Sequence, residues 1–270
     1  MLMKYNLSKL VFALFTAFVL GVFSSCTQVD PAGINLSSIS DSGYESSGTQ
    51  TISVNLDKSI SSDVTIEFEY SGTATKSSDY NFYTTEATIL AGQTSAEIEF
   101  TIFDDYEYDP TDKTIIINLT TISGPGVDEV NFGENTTYTY TLQEDDMEIE
   151  LTWDDSDYNM ELLLVQGETP VRESIESGTT AKSVVLHGDD SDGNYQTLTY
   201  MSLGNLNENS SIPYSVTLNF PDGSSETHGD NLIVERLFNA RHLWEITKTG
   251  TGYTAAKDPL GSNGRGSIGN

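Results

Sequence analysis

Apolar and polar residues alternate with a period of two along most of the chain. Ile52, Val54 and Leu56 alternate with polar neighbours, as do Val64, Ile66, Phe68 and Tyr70, then Ala96, Ile98, Phe100 and Ile102. Ile115, Ile117 and Leu119 continue the series, and Tyr138, Tyr140 and Leu142 close it. Successive side chains of a strand point to opposite faces, so each run predicts a half-buried strand. Gly, Ser, Asn and Asp separate the runs at the spacing of a β-sandwich. A second series opens at Ile149, Leu151 and Trp153 and continues through 154–165, 182–188, 195–201, 214–220 and 242–250. Pro221-Asp222-Gly223 predicts a turn, and 232–238 one more strand. The pattern predicts an all-β chain of two antiparallel β-sandwich domains in tandem, residues 34–146 and 147–249. The tail 250–270 holds six glycines and few apolar anchors, and is expected to be disordered.

The N-terminus breaks the pattern. Lys4 and Lys9 precede an apolar run from Leu10 to Phe23, then Ser24-Ser25-Cys26. This is the layout of a signal peptide over residues 1–25, with an apolar stretch short for a membrane span. Cys26 is the only cysteine, so no internal disulfide can form. The stretch "VFSSC" resembles a bacterial lipobox, which implies cleavage before Cys26, lipidation of that cysteine, and a tether over 26–33. The expected location is the bacterial cell envelope, lipid-anchored at the outer membrane or cell surface.

Charge narrows the partners. The chain carries 12 basic and 41 acidic residues, net −29. Loss of residues 1–25 removes two lysines and no acid, leaving 10 against 41, or −31. Such a chain repels nucleic acid and anionic lipid surfaces, so no nucleic-acid partner is expected.

The acids are not spread evenly. In the first domain they gather at Asp79, at Asp104-Asp105, at Asp109 and Asp112, and at Glu144-Asp145-Asp146. Two of these groups directly follow apolar strand ends, Ile102-Phe103 and Leu142. If those strands run the same way in space, both groups share one pole. Like charges about 4 Å apart repel by roughly 4 kcal/mol at an effective dielectric near 20. A hard cation would relieve this, and flexible carboxylate loops suit calcium better than magnesium. Zinc is disfavoured, because this domain has no His and no Cys.

The stretch "GTATKSSDYNFYTTEATILAGQTSAEIEFTIFDDYEYDPTDKTIIINL" (72–119), with the acidic strand end at 144–146, resembles a Calx-beta domain. The resemblance covers about residues 34–146. It implies an antiparallel sandwich with calcium bound at one end by Asp79, Asp104, Asp105, Asp109, Asp145 and Asp146, with Glu45, Asp112 and Glu144 as further ligands. The family's third Asp after the pair is Tyr106 here, which implies one or two ions and an affinity near roughly 10⁻⁴–10⁻³ M. Calcium bound next to 145–147 would also stiffen the joint between the domains.

The second domain offers less. Asp154-Asp155-Ser156-Asp157 and Asp189-Asp190-Ser191-Asp192 both fail the EF-hand pattern, with Tyr195 at the required Gly of the latter. Its strands are similar to small sandwich modules of bacterial secreted proteins. No Gly-x-Ser-x-Gly elbow appears, and His187, His228 and His242 lack metal-binding spacing. Trp153 and Trp244 lie in alternating strands and are expected in the core, with sugar stacking as the other option. The expected function is a non-enzymatic, calcium-binding envelope lipoprotein acting in adhesion or in capture of a protein or glycan. The alternative is a structural spacer without calcium.

Overall fold

The computed structural model describes residues 30–174, 180–203, 211–233 and 241–257. The segment 1–25 read as a signal peptide, Cys26 and the tail beyond Lys257 lie outside these residues. Strands are numbered in chain order. The first sandwich pairs two five-stranded sheets. One runs β5 (Tyr80–Phe82), β7 (Ser95–Ile102), β3 (Thr49–Leu56), β1 (Ala32–Leu36), β9 (Val130–Phe132). The other runs β2 (Ser40–Tyr44), β10 (Thr137–Gln143), β8 (Lys113–Ser123), β4 (Val64–Gly72), β6 (Glu86–Ile89). The alternating residues face inward, as the pattern predicts: Ile98, Phe100 and Ile102 of β7 pack against Ile115 and Ile117 of β8 and Tyr140 of β10. The rings of Phe100 and Tyr140 meet edge to face at 5.5 Å.

The second sandwich sets β14 (Ala181–Leu186), β11 (Met147–Trp153), β16 (Ser211–Asn219) and β17 (Ser225–Ile233) against five strands. These are β13 (Thr169–Ser174), β12 (Asn159–Gln166), β15 (Gly193–Leu203), β18 (Arg241–Thr249) and β19 (Gly252–Lys257). Trp153 and Trp244 are buried in this core, where neither ring can serve as a platform for a sugar.

Two boundaries are corrected. The first domain starts at Ala32, not 34: Ala32 and Gly33 pair with Val130 and Asn131 in a parallel ladder that local pattern does not reveal. The tail expected to be disordered supplies β19, because Tyr253 and Ala255 alternate inward onto the core while the backbone pairs with β18. The turn at Pro221–Gly223 forms as predicted, with Gly223 at φ 77°, where a side chain would strain the backbone.

Only Glu144, Asp145 and Asp146 separate β10 from β11, and all three are buried. The two sandwiches therefore meet on these acids.

Candidate metal centre

The strand ends build the site. β7 ends at Ile102 and delivers Asp104 and Asp105, while β10 ends at Gln143 and delivers Glu144–Asp146. Both groups reach the same pole. β2 pairs in parallel with β10, so the short 3₁₀ turn Glu45–Ser47 that follows it arrives there too. Asp79 sits just ahead of β5, whose partner is β7. The Calx-beta resemblance offered Glu45 as a further ligand, and the fold carries it into the cluster, where it is buried.

One half of the pole is centred on Lys113, the first residue of β8. Its Nζ lies 2.5 Å from Asp109 Oδ2, 3.0 Å from Asp79 Oδ1, 3.5 Å from Asp105 Oδ2 and 3.7 Å from Glu45 Oε1. Burial works against the ammonium, but its bonds to Asp109 and Asp79 and the charge of Glu45 outweigh this and hold its pKa above the usual lysine value. Carboxylate oxygens of Glu45, Asp105 and Asp109 lie within 4.8 Å of one another. Burial first, and the charge of Asp105 next, push Glu45 up to about 8. Asp79 is also a local brace, since its other oxygen accepts the Thr75 N–H.

The other half lies at the joint. Carboxylate oxygens of Glu144, Asp145 and Asp146 again fall within 4.8 Å of one another. Glu144 is consumed by the backbone: it accepts N–H bonds from Asp145 (2.9 Å), Asp146 (2.7 Å) and Asp109. Burial still pushes it up to about 7. Asp145 accepts from the Ser46 hydroxyl, and Asp146 faces His187 Nδ1 at 2.9 Å. Burial, and then the charges of Asp146, Asp145 and Asp189 against a bond from the Tyr106 N–H, push Asp104 up to about 6. Asp112 stays out of both halves, exposed on the wall of an open cleft of about 1000 Å³.

Among the described residues, three buried carboxylate oxygens have no hydrogen-bond partner: Glu45 Oε2, Asp104 Oδ2 and Asp145 Oδ1. Leaving such an atom buried and unpaired costs about 1–3 kcal/mol, more when it is charged. Orphaned oxygens beside two close carboxylate groups fit a hard, oxygen-preferring cation such as calcium. Glu45, Asp105 and Asp109 could hold one in the first half, and Glu144, Asp145 and Asp146 one in the second.

Beside Asp189 in the chain, His187 offers a metal ligand, though the sequence favours an exposed strand-end residue. Its side chain is only 12% exposed and packs across the joint. The missed signal is spatial, since Asp146 is 41 residues away in the chain.

Fold and site define a tandem β-sandwich with a carboxylate centre where its two domains meet. No family model and no curated protein matches the chain. Solved structures similar to it include the apo-form Calx CBD1 domain, 18% identical over 43% of this chain and 98% of that one, TM-score 0.36. CBD12 from CALX1.2 is 13% identical over 67% of this chain and 80% of its own, TM-score 0.38. A protein of unknown function from Bacteroides ovatus is 14% identical over 82% of this chain and 100% of its own, TM-score 0.35. The assignment of the centre rests on its own geometry.

Proposed function

We propose that this protein is a non-enzymatic envelope lipoprotein, anchored through Cys26, whose acidic pole binds calcium and which acts in adhesion or in capture of a protein or glycan. The observation that carries this is the set of orphaned oxygens on Glu45, Asp104 and Asp145. Divalent cations at the two halves of the pole would give these atoms the partners that their burial otherwise denies them. The open cleft beside the pole gives a ligand somewhere to dock: Tyr44, Phe220 and Tyr253 line it together with Asp112, Asp222 and Glu226. Among the described residues no lysine or arginine lines it, which favours neutral or cationic ligands over anionic ones.

A second reading, a spacer that needs no calcium, draws on Lys113. An ammonium already pairs with four of the acids and offsets one of their charges. Calorimetric titration of calcium into the chain, with thermal melts in calcium and in chelator, separates the two. Saturable heat with a higher melting temperature supports the calcium module. No heat and no shift leaves the spacer.

A further inference from the structure

The cleft beside the pole is bordered by strand edges. Among the described residues β17 pairs only with β16, β19 only with β18 and β2 only with β10, so each stands at the margin of its sheet. Tyr44 ends β2, Glu226 lies at the start of β17, and residues 252–255 are the first four of β19; all line the cleft. A strand at a sheet margin leaves alternate main-chain N–H and C=O groups without a ladder partner.

β19 shows how the cleft runs. Thr251, Gly252, Tyr253, Thr254 and Ala255 all line it, in unbroken succession. Successive side chains of a strand point to opposite faces, so a hollow over one face meets every second residue. A hollow that meets every residue runs along the backbone edge. Tyr253 and Ala255 turn their side chains onto the core, yet both still border the cleft. Five residues of extended chain span about 16 Å, enough to pair with a short peptide. The side chains around this edge are one-sided in charge. Asp112, Asp222 and Glu226 are exposed on the walls, and no lysine or arginine among the described residues joins them. Tyr44 and Phe220 add rings against which the stem of a long cationic side chain can lie.

We infer, resting on the capture reading above, that this cleft binds an extended, lysine- or arginine-bearing segment of another protein as an added strand along the free edge of β19. The peptide main chain pairs with β19, which holds whatever the sequence, and its cationic side chains reach Asp112 and Glu226, which selects for charge. Asp222 is less available, because its Oδ1 accepts the N–H (2.9 Å) and the hydroxyl (2.5 Å) of Ser224 in the turn. A neutral glycan offers the carboxylates no counter-charge and the edge no row of alternating amides. A second copy of this chain, of net charge −29, is repelled.

The test titrates a decapeptide of alternating lysine and valine into the full chain, with its glutamate counterpart and cellohexaose, a neutral oligosaccharide, as comparisons. Each titration is run in calcium and in chelator, and binding in either condition counts, so the result is separate from the calcium reading. The lysine peptide should bind and the glutamate peptide should not. Asp112→Asn with Glu226→Gln should weaken binding about fivefold or more. Glu97→Gln with Glu99→Gln removes the same charge from exposed positions of β7 outside the cleft, and should change binding less than about twofold. Melts confirm that both variants fold. Amide hydrogen exchange at residues 252–255 should slow in the complex, because the peptide covers that edge. Equal weakening by both double variants, or binding without protection of β19, would overturn the inference, since attraction to the whole acidic chain would then suffice. Binding of cellohexaose alone would overturn it and leave the capture reading standing. Binding of neither ligand would remove the inference and the capture reading of this cleft together.

Discussion

Replacing Lys113 by methionine keeps an apolar stem and removes the one charge that holds four carboxylates together. Breaking a buried pair by deleting one partner costs about 3–5 kcal/mol, and with Lys113 partly exposed the loss should fall near the lower figure. Denaturant unfolding in chelator checks this, and added calcium should recover more stability in the variant than in the wild type. A loss below about 0.5 kcal/mol, the range of surface pairs, would mean solvent screens the whole group. Lys182 and Glu161 make a similar test without a metal. Their 2.6 Å pair is buried in the second sandwich. Lys182→Met alone should cost about 3–5 kcal/mol, and Lys182→Met with Glu161→Leu markedly less, because no lone charge is left behind. The acids of the pole were legible in the sequence, because carboxylates crowded after an apolar strand end are conspicuous. Their counter-ion was less so. Lys113 stands beside Asp109 and Asp112 in the chain, but its partners Glu45 and Asp79 come from elements distant in sequence.

At the scale of elements, alternation revealed the strands that face a core on one side and solvent on the other. β3, β7, β8, β10 and β11 are of this kind. It did not reveal β2, whose sequence SDSGY has no apolar repeat and which is a strand because it pairs in parallel with β10. Nor did it reveal β19, where flanking glycines masked a short alternation. β19 also fastens the joint: the Tyr253 hydroxyl donates to the carbonyls of Asp145 (2.8 Å) and Leu186 (3.1 Å). Tyr253→Phe keeps the ring and strips both bonds, so it should destabilise the chain by about 1–2 kcal/mol. Ending the chain after Gly250 should cost more, since the ladder to β18 goes as well. Equal melting temperatures for the wild type and the truncated chain would show that β19 is only an appendage.

At the scale of the molecule, the sequence supplied two domains and an almost absent linker, but not that the linker is the site. That follows only once β10 and β11 are seen to leave three buried acids between them. Burying acids couples stability to pH. Glu45, Glu144 and Asp104 are pushed to about 8, 7 and 6, mainly by burial. In the unfolded chain such groups titrate near about 4. The folded state therefore holds these protons more tightly. Their contribution is fully present below about pH 4 and is lost as pH rises through the folded values. In chelator, the unfolding free energy should fall between about pH 5 and pH 8. The general repulsion within a chain of net charge −29 acts in the same direction. Glu45→Gln separates the two causes: it should lessen the slope across the whole window from about pH 5 to 8 and leave little of it between about pH 7 and 8, where Glu45 is the last of the three to titrate, because a single charge barely alters the overall repulsion. Calcium competes with the same protons. Its binding should release protons near pH 6–7 and tighten as pH rises, so the gap between melts in calcium and in chelator should widen with pH. Isothermal titration in two buffers of different ionisation enthalpy measures that release directly. Identical heats in both buffers would mean the ion displaces no proton, and that these carboxylates are already ionised in the folded chain.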